Sequence, residues 1–421
     1  MIFMIHQIVG TLATRVLMIV NSVVAGLVVA WWLGAEGVGQ LAVINVTIAT
    51  VVQLASFGLP SANTYFIAQD QARIRAAAIN SLIFALVTGS ILALAVVVLA
   101  SFRPQLFGLV SPDLLRIAAI SIPFQLISLI GLNILLAVGK VKQFNLLDLA
   151  GQSFVLINAL FALIVFNRGL ETLVTLNTAA SIIVSIAIVT LLVIAARTLQ
   201  TSQWRADLAL LRRMIGYGLK FHVSILAGAI ILRADLLVVN HFRGAGEAGV
   251  YSVASQFAMM LMLLPGVIAT LLFPRVTAEQ DARGETTCQV TRQTTWIMFV
   301  CCLGAVPFSL LLPVLYGAEF RDATWLLLIL LPGVYLISLE SVLVQHFNAL
   351  GLPAAIPLYW VIILALNLIL VFALVPRFGA QGAAIASTIS YAAIFALVAR
   401  HFHTSTRRSF AEVFVRGSLR G

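Results

Sequence analysis

Uninterrupted apolar runs of about 20 or more residues recur along the whole 421-residue chain and constrain its fold more than any other feature. A helical run of this length matches the roughly 30 Å hydrocarbon core of a bilayer. Because lipid offers the backbone no hydrogen-bond partner, a spanning segment must be a helix or part of a closed barrel. The runs are continuous rather than alternating, so the sequence predicts an all-helical integral membrane protein.

The composition agrees with this prediction. Apolar residues make up 62% of the chain and charged residues only 10%, with a mean hydropathy of +1.09. A soluble domain carries about a quarter charged residues. The excess of 25 Lys and Arg over 15 Asp and Glu is better explained by topology and by anionic lipid headgroups than by nucleic acid. We therefore expect membrane lipids as partners and no nucleic acid.

Gly, Pro and charged residues divide the apolar runs into twelve candidate spans. The predicted spans are 8–33, 39–67, 76–100, 115–138, 144–166, 173–196, 214–240, 247–273, 290–315, 323–349, 353–375 and 380–399. One long polar connector falls almost at the midpoint. The predicted organisation is an N-terminal six-helix half (1–199), a cytoplasmic linker (200–213), a C-terminal six-helix half (214–400) and a basic cytoplasmic tail (401–421).

The two predicted halves resemble each other in sequence. PQLFG at 104–108 matches PVLYG at 313–317 with an offset of 209, and GAEGVGQLAV at 34–43 aligns with GAGEAGVYSV at 244–253. The offset of 209 also relates four pairs of polar or helix-breaking residues: Asp113 and Asp322, Pro123 and Pro332, Asn158 and Asn367, and Arg168 and Arg377. Such a pattern indicates an internal duplication. Because six spans return the chain to the same side, the halves should be parallel repeats with a cavity between them.

The distribution of basic residues predicts the orientation in the membrane. The termini and even-numbered loops hold 17 Lys and Arg residues, whereas the odd-numbered loops hold six. Cytoplasmic loops carry an excess of basic residues. Both termini are therefore expected in the cytoplasm. The apolar stretch that follows the N-terminus has no clear cleavage site, so we interpret it as a retained first span.

Ionisable residues within the predicted spans are candidates for function, because each must face protein or water. A cavity would be a suitable environment for the side chains of Arg15, Arg233 and Glu340. Asp148 and Lys220 lie near span ends, so the simpler explanation for their charges is that the side chains extend to the membrane surface. Arg233 and Asp235 are two residues apart, so on a helix they would point in different directions. An ion pair between Arg233 and Glu340 remains the structural alternative to a functional role.

Four prolines are predicted inside spans, where each removes a helical hydrogen bond and bends the helix. These hinge candidates are Pro123, Pro265, Pro307 and Pro332. Bent helices help a bundle alternate between two shapes, although they also occur in static bundles.

Signatures of catalysis and of metal binding are missing from the sequence. It contains no GxxxxGK[ST] phosphate-binding loop, and its six histidines are scattered without ligand spacing. The cysteines Cys288, Cys301 and Cys302 form no CxxC motif. We therefore expect neither an enzyme nor a cofactor or metal site.

Several motifs resemble the Wzx-like, polysaccharide-exporting branch of the MOP (multidrug/oligosaccharidyl-lipid/polysaccharide) superfamily. They are LGAEGVGQLAV, FGLPSANTYF, RADLLVVNHFRGAGEAGVYSVA, LYGAEFRDATWLLLILLPG and VPRFGAQGAAIAS, in that order along the chain. The loop AQDQARIRAA at 68–77 does not fit the Gly-x-x-x-Asp-Arg-x-Gly-Arg pattern of the major facilitators, which share the twelve-span, parallel-repeat organisation. The resemblance implies a MATE/MOP-like fold.

The resemblance also implies a flippase that moves undecaprenyl-diphosphate-linked oligosaccharide across the bacterial inner membrane by alternating access, for O-antigen, capsule or exopolysaccharide synthesis. A glycan polymerase complex is an expected partner. A diphosphate needs cationic contacts, for which Arg15, Lys220 and Arg233 are candidates, while Asp235 and Glu340 are candidates for coupling to an ion gradient. The alternatives are a cation-coupled multidrug antiporter of the same superfamily and a non-transporting scaffold of a glycan-assembly complex.

Overall fold

The computed structural model describes residues 2–107, 110–198, 205–279, 281–350 and 353–414, and these residues form helices and short connections without a strand. The predicted all-helical fold class is therefore confirmed. Residues 199–204 of the predicted linker region and residues 415–421 of the predicted basic tail lie outside the described residues.

Nine helical segments among these described residues are long and apolar enough to cross a membrane. Two of them, Ala13–Ala55 and Ala355–Thr406, are 43 and 52 residues long. A 52-residue helix extends over about 78 Å, more than twice the thickness of the hydrocarbon core. Both segments contain a non-helical residue, Gly34 in the first and Gly379 in the second, at which the chain can reverse. The total of twelve spans remains a prediction.

By its internal contacts the chain divides into two compact units, Met1–Ala229 and Ile230–Gly421. We refer to them as the N-terminal and C-terminal units; the division into two six-helix halves with a linker at 200–213 remains a prediction. The helices that begin in the N-terminal unit are α1 (Ile2–Ala55), α2 (Leu59–Gln69), α3 (Ile74–Phe102), α4 (Pro112–Ala119), α5 (Ser121–Ala137), α6 (Val141–Ala159), α7 (Leu170–Thr198) and α8 (Leu208–Ile231).

The C-terminal unit continues with eight helices, of which α14 and α15 pack most extensively against each other. Its main apolar cluster includes Leu343 and Phe347 of α14 and Ile394 and Phe402 of α15, all buried. The helices are α9 (Ala234–Arg243), α10 (Ala245–Leu261), α11 (Leu263–Glu279), α12 (Glu285–Ser309), α13 (Leu312–Tyr316), α14 (Arg321–Leu350), α15 (Ala355–Thr406) and α16 (Phe410–Phe414).

The sequence repeat has a counterpart in the backbone of the two units. Gly34 and Gly244, which the repeat aligns, adopt similar conformations, with φ 64° and ψ −172° in the first and φ 88° and ψ 174° in the second. Positive φ favours glycine, because a Cβ atom would make this conformation strained. The aligned Asn158 and Asn367 each donate a side-chain hydrogen bond to a later residue of the same unit, at 2.9 and 3.1 Å. These parallels support an internal duplication.

Two of the predicted spans contain a helix break, for which proline gives the physical reason. The predicted fourth span breaks at Ile120 and the eighth at Met262, three residues before Pro123 and Pro265, respectively. A proline lacks the N–H that would bond the carbonyl four residues earlier. Those carbonyls belong to Ala119 and Leu261, the residues at which α4 and α10 end. Pro112–Ala137 and Ala245–Ala269 nevertheless each form one segment that is long and apolar enough to cross a membrane.

The other two hinge candidates lie inside helices. Pro307 is within α12, which ends two residues later, and Pro332 lies within the continuous helix α14. The Thr388 hydroxyl donates to the Ile329 carbonyl oxygen at 2.7 Å, close to Pro332 in sequence. The carbonyl that Pro332 leaves without its helical donor is that of Leu328, four residues earlier, so this hydrogen bond is a separate contact between α14 and α15. A role of the four prolines as hinges stays a prediction.

Candidate functional site

The predicted seventh span is broken at Leu232 and Arg233, between α8 and α9. The prediction of one helix over 214–240 was therefore wrong, and the expectation that Arg233 and Asp235 diverge along a regular helix does not apply. Arg233 instead caps the N-terminus of α9, with φ −138°, and its N–H donates to the Ile230 carbonyl oxygen at 3.0 Å. Irregular backbone at membrane depth is tolerated where it is buried in protein or lines a cavity.

The Arg233 side chain is half-buried. Its guanidinium group forms neither an ion pair nor a side-chain hydrogen bond with the residues that the structure describes. Since a guanidinium group offers five donors in a planar fork, Arg233 remains available to an anionic group such as a diphosphate.

Asp235 has a different environment, although it is only two residues away. Its carboxylate is 3% exposed and accepts hydrogen bonds from the Tyr251 hydroxyl, from Ser387 Oγ at 2.8 Å and from the Leu236 N–H at 2.7 Å. It also lies in the first turn of α9, where the helix dipole stabilises negative charge. The polar partners of Asp235 are therefore hydroxyl and backbone groups, and not Arg233.

Glu340 lies in the middle of α14 and is 2% exposed. Its Oε1 atom has no hydrogen-bond partner within the described part of the chain. No ion pair joins it to Arg233, and the structure describes both side chains. The structural alternative, in which these two residues neutralise each other, is therefore not observed in this conformation.

Glu340 is one of the residues that line a cavity of about 350 Å³ within the C-terminal unit. Leu232 and Met262, which lie at the breaks between α8 and α9 and between α10 and α11, both line this cavity. Residues at both helix breaks therefore line the same cavity as Glu340. The remaining lining residues are Gly266, Ala269, Ile337, Ser341, Val344, Gln345, Trp360 and Tyr391.

The N-terminal unit places its candidate cation in an ion pair. Arg15 Nη1 of α1 lies 2.9 Å from Asp148 Oδ2 of α6, and the two side chains are 39% and 23% exposed. The Arg15 guanidinium carbon also lies 6.0 Å from the centre of the Phe144 ring. Asp148 therefore neutralises Arg15 and does not simply extend to the membrane surface. Lys220 is part of α8, and its side chain lies outside the described residues.

Sequence reasoning missed the residues that surround the two buried carboxyl groups. Tyr251 and Ser387 bind Asp235, whereas Trp360 and Tyr391 line the cavity beside Glu340. Tyr251 lies within the repeated motif at 244–253, so its polar group in an apolar span was a usable signal. Nothing in the sequence relates Trp360 to Glu340, because helix packing alone brings them together.

No cluster of three or more His, Cys, Asp or Glu residues that could hold a metal ion occurs in the searched, described part of the chain. The cysteines Cys288, Cys301 and Cys302 are free.

The sequence model of a family described as polysaccharide biosynthesis proteins matches residues 28–324, well over half of the chain. The chain belongs to this family. The match confirms the resemblance to polysaccharide exporters that the sequence motifs indicated, and the members to which it is related are transporters and flippases.

Curated relatives support the same assignment over part of the chain. A probable low-salt glycan biosynthesis flippase, Agl15 of Haloferax volcanii, is 26% identical over 187 residues, which is 43% of this chain and 40% of that protein. A putative O-antigen transporter of Shigella flexneri is 25% identical over 184 residues, covering 42% of this chain and 44% of that protein. The chain thus matches less than half the length of these relatives.

Solved structures share the fold along nearly the whole chain. The lipid II flippase MurJ in an inward closed conformation has a TM-score of 0.76 at 16% identity, covering 96% of this chain and 90% of that chain. An inward-facing MATE multidrug resistance transporter of the MOP superfamily has a TM-score of 0.74 at 16% identity, covering 93% and 96%. The fold is therefore MATE/MOP-like, as predicted, and the protein is a multi-pass membrane protein.

Proposed function

We propose that this protein is a flippase that moves a polyprenyl-diphosphate-linked oligosaccharide across the membrane for the synthesis of a surface polysaccharide. The observation that carries the proposal is the family match over residues 28–324 in a chain that adopts the fold of MATE/MOP transporters. In this proposal the protein moves its substrate by alternating access and has no catalytic activity of its own. The polyprenyl tail stays in lipid while the sugar crosses.

Arg233 is the residue that we propose as the main contact for the substrate diphosphate. Its guanidinium group is half-buried at a helix break and has no partner among the described side chains. A planar guanidinium group binds phosphate oxygens in bidentate geometry. Arg15 and Lys220 are secondary candidates. Asp148 already neutralises Arg15, and the side chain of Lys220 lies outside the described residues. Glu340, with its unpartnered oxygen, is the first candidate for coupling and Asp235 the second.

We further propose the bacterial inner membrane as the location, with both termini in the cytoplasm. The termini and even-numbered loops hold 17 basic residues and the odd-numbered loops hold six, which supports this orientation. A glycan polymerase complex that consumes the flipped substrate is the proposed partner. The bacterial carrier lipid implied by the sequence resemblance is undecaprenyl diphosphate.

Reconstitution tests this function directly. Purified protein in liposomes should move a fluorescent, short-chain polyprenyl-diphosphate disaccharide from one leaflet to the other, measured by protection from a membrane-impermeant quencher. Protein-free liposomes and liposomes with an unrelated helical membrane protein are the controls. Efflux of cationic dyes without flipping would instead support the multidrug antiporter, and absence of both activities would support the scaffold.

A further inference from the structure

Two arginines lie together in the C-terminal unit, at the end of α9 that is remote from Arg233. Arg243 is the last residue of α9, and its Nη2 atom donates to the Arg377 carbonyl oxygen of α15 at 3.2 Å. We call these two residues the arginine pair. Both side chains are exposed, and neither forms an ion pair with the residues that the structure describes. Because like charges that approach each other are unfavourable, the arginine pair is suited to receive an anion.

The position of the arginine pair in the sequence is unusual. The odd-numbered loops hold six Lys and Arg residues in all, and Arg243 and Arg377 are two of them. Basic residues are otherwise concentrated on the cytoplasmic side, so topology does not explain why two of them meet here. Both lie in the last turn of a helical segment, before Gly244 and Gly379 respectively, where the helix dipole stabilises a cation. The helix ends therefore stabilise the two charges without supplying a counter-ion.

The carboxylate nearest to this place already has another partner. Glu247 of α10 accepts a hydrogen bond from the Ala380 N–H at 2.6 Å, where the second part of α15 begins. A Cβ atom at Gly379 would collide with the Glu247 carboxylate and lie 3.2 Å from Arg243 Nε. Glycine thus permits α9 and α10 to approach the break in α15, and this packing holds Arg243 beside Arg377.

Exposed aromatic rings adjoin the arginine pair. Phe242 precedes Arg243 and Phe378 follows Arg377 in the sequence. The rings of Phe242 and Phe372 meet edge to face, with their centroids 6.4 Å apart. All three phenylalanines are at least 43% exposed. Cationic groups beside apolar rings match an amphiphile that has an anionic head and a hydrocarbon tail.

Helix α9 connects the arginine pair to the proposed diphosphate contact. Arg233 precedes the first residue of α9, and Arg243 is the last of its 10 residues. Ten residues of helix extend over about 15 Å. A diphosphate that leaves Arg233 towards the side predicted to face away from the cytoplasm therefore has a second pair of guanidinium groups one short helix away.

We propose that Arg243 and Arg377 form a second diphosphate site, which holds the headgroup of the polyprenyl-linked substrate at the C-terminal end of α9 before its release. The identity of the ligand rests on the proposed function. Two guanidinium groups bind the two phosphate groups through planar forks of donors. The rings of Phe242 and Phe372 contact the first isoprenoid units of the tail.

Binding to the full-length protein in phosphatidylcholine nanodiscs tests this site without transport. The probe is tritiated farnesyl diphosphate, a short polyprenyl diphosphate without sugar. Arg233→Gln removes the first proposed diphosphate contact and should retain saturable binding of about one probe molecule per chain. Farnesol, which has the same tail but no diphosphate, should compete at least tenfold more weakly than unlabelled farnesyl diphosphate.

Variants of the arginine pair locate the binding. Added to Arg233→Gln, the changes Arg243→Gln and Arg377→Gln should weaken probe binding at least tenfold. The matched control adds Arg168→Gln and Arg321→Gln instead, which removes two other exposed arginines of odd-numbered loops, and should change binding less than twofold. If Arg233→Gln does not fold, the two changes at the arginine pair should lower binding to the otherwise wild-type protein from about two probe molecules per chain to about one.

Three results would overturn the proposal. An equal loss in the control with Arg168 and Arg321 replaced would indicate general attraction by surface charge. Loss of probe binding when phosphatidylglycerol replaces half of the phosphatidylcholine would indicate a site for phospholipid headgroups. Binding that is absent from folded Arg233→Gln, or unchanged when the arginine pair is replaced, would remove the site. Flipping is measured separately, so intact binding without flipping would contradict the proposed function and not this site.

Discussion

The N-terminal and C-terminal units place ionisable side chains in their apolar interiors in different ways. In the first, Arg15 and Asp148 form an ion pair at 2.9 Å. In the second, Asp235 is satisfied by hydroxyl and backbone donors, Glu340 keeps an unpartnered oxygen and Arg233 has no partner among the described side chains. Among these described side chains, the N-terminal unit thus pairs its two charges with each other, whereas the C-terminal unit leaves Arg233 and Glu340 available.

This difference is not a property of the repeated scaffold. At the repeat offset of 209, Glu340 corresponds to Gly131, and at the offset of 210, Arg233 corresponds to Val23. The aligned glycines Gly34 and Gly244 nevertheless have similar backbone conformations. The repeat therefore extends to the backbone at these glycines, while the two available charges occur in the C-terminal copy and not at the paired positions of the other. We infer that the C-terminal unit contains most of the transport chemistry.

The largest expected effect concerns Arg233. We expect Arg233→Ala to abolish glycan export at normal membrane abundance and Arg233→Lys to retain part of it, because lysine keeps the charge but not the fork of donors. Surface glycan and membrane abundance should be measured together in a strain that depends on the protein. Restoration of export by the double variant Arg233→Ala, Glu340→Gln would contradict this role and indicate an ion pair in another conformation.

A second, smaller effect distinguishes the two buried carboxyl groups. Asp235→Asn should destabilise the protein by about 1–3 kcal/mol, because it replaces an acceptor of three hydrogen bonds. Glu340→Gln should cost less than about 1 kcal/mol, since Oε1 has no partner to lose. Thermal unfolding in one detergent measures both. A larger loss for Glu340→Gln would mean that this carboxyl group has a structural partner.

The same Glu340→Gln variant tests coupling. If Glu340 carries a coupling proton or ion, its replacement should change the pH or ion dependence of transport. An unchanged turnover and an unchanged pH profile would assign coupling to another residue, of which Asp235 is the next candidate.

The smallest expected effect concerns the ion pair of the N-terminal unit. Asp148→Asn should destabilise the protein by about 1 kcal/mol or less, because both side chains remain partly exposed. The matched control is Asp113→Asn, which breaks the more exposed pair with Arg116 and should have an even smaller effect. A loss of several kcal/mol at Asp148 would show that the pair is a structural necessity of this unit.

Much of the fold could be predicted from the sequence, because apolar length and helix-breaking residues act locally. The apolar runs predicted helices, and the aligned glycines predicted the repeated breaks at Gly34 and Gly244. The interruption at Leu232–Arg233 could not be predicted, since no proline or glycine marks it. The hydrogen bond from Ser387 to the neighbouring Asp235 is a tertiary contact, which sequence periodicity does not report.

The candidate site was predictable only in its charged residues. Arg233, Asp235 and Glu340 stand out because ionisable groups are rare in apolar spans. Their environments depend on distant residues, such as Ser387, which is 152 positions from Asp235, and Trp360 at the cavity. The pairing of Arg15 with Asp148 likewise spans 133 positions. Single-sequence reasoning could therefore name the charges but not their partners.

The most direct test of the contrast between the units compares two neutralised variants in reconstituted liposomes. One is Arg233→Gln, and the other is the double variant Arg15→Gln, Asp148→Asn, which removes both charges of the N-terminal pair. With flipping of the polyprenyl-diphosphate disaccharide normalised to reconstituted protein, Arg233→Gln should lose at least tenfold in rate and the double variant less than about threefold. An equal or larger loss in the double variant would contradict the assignment of the transport chemistry to the C-terminal unit.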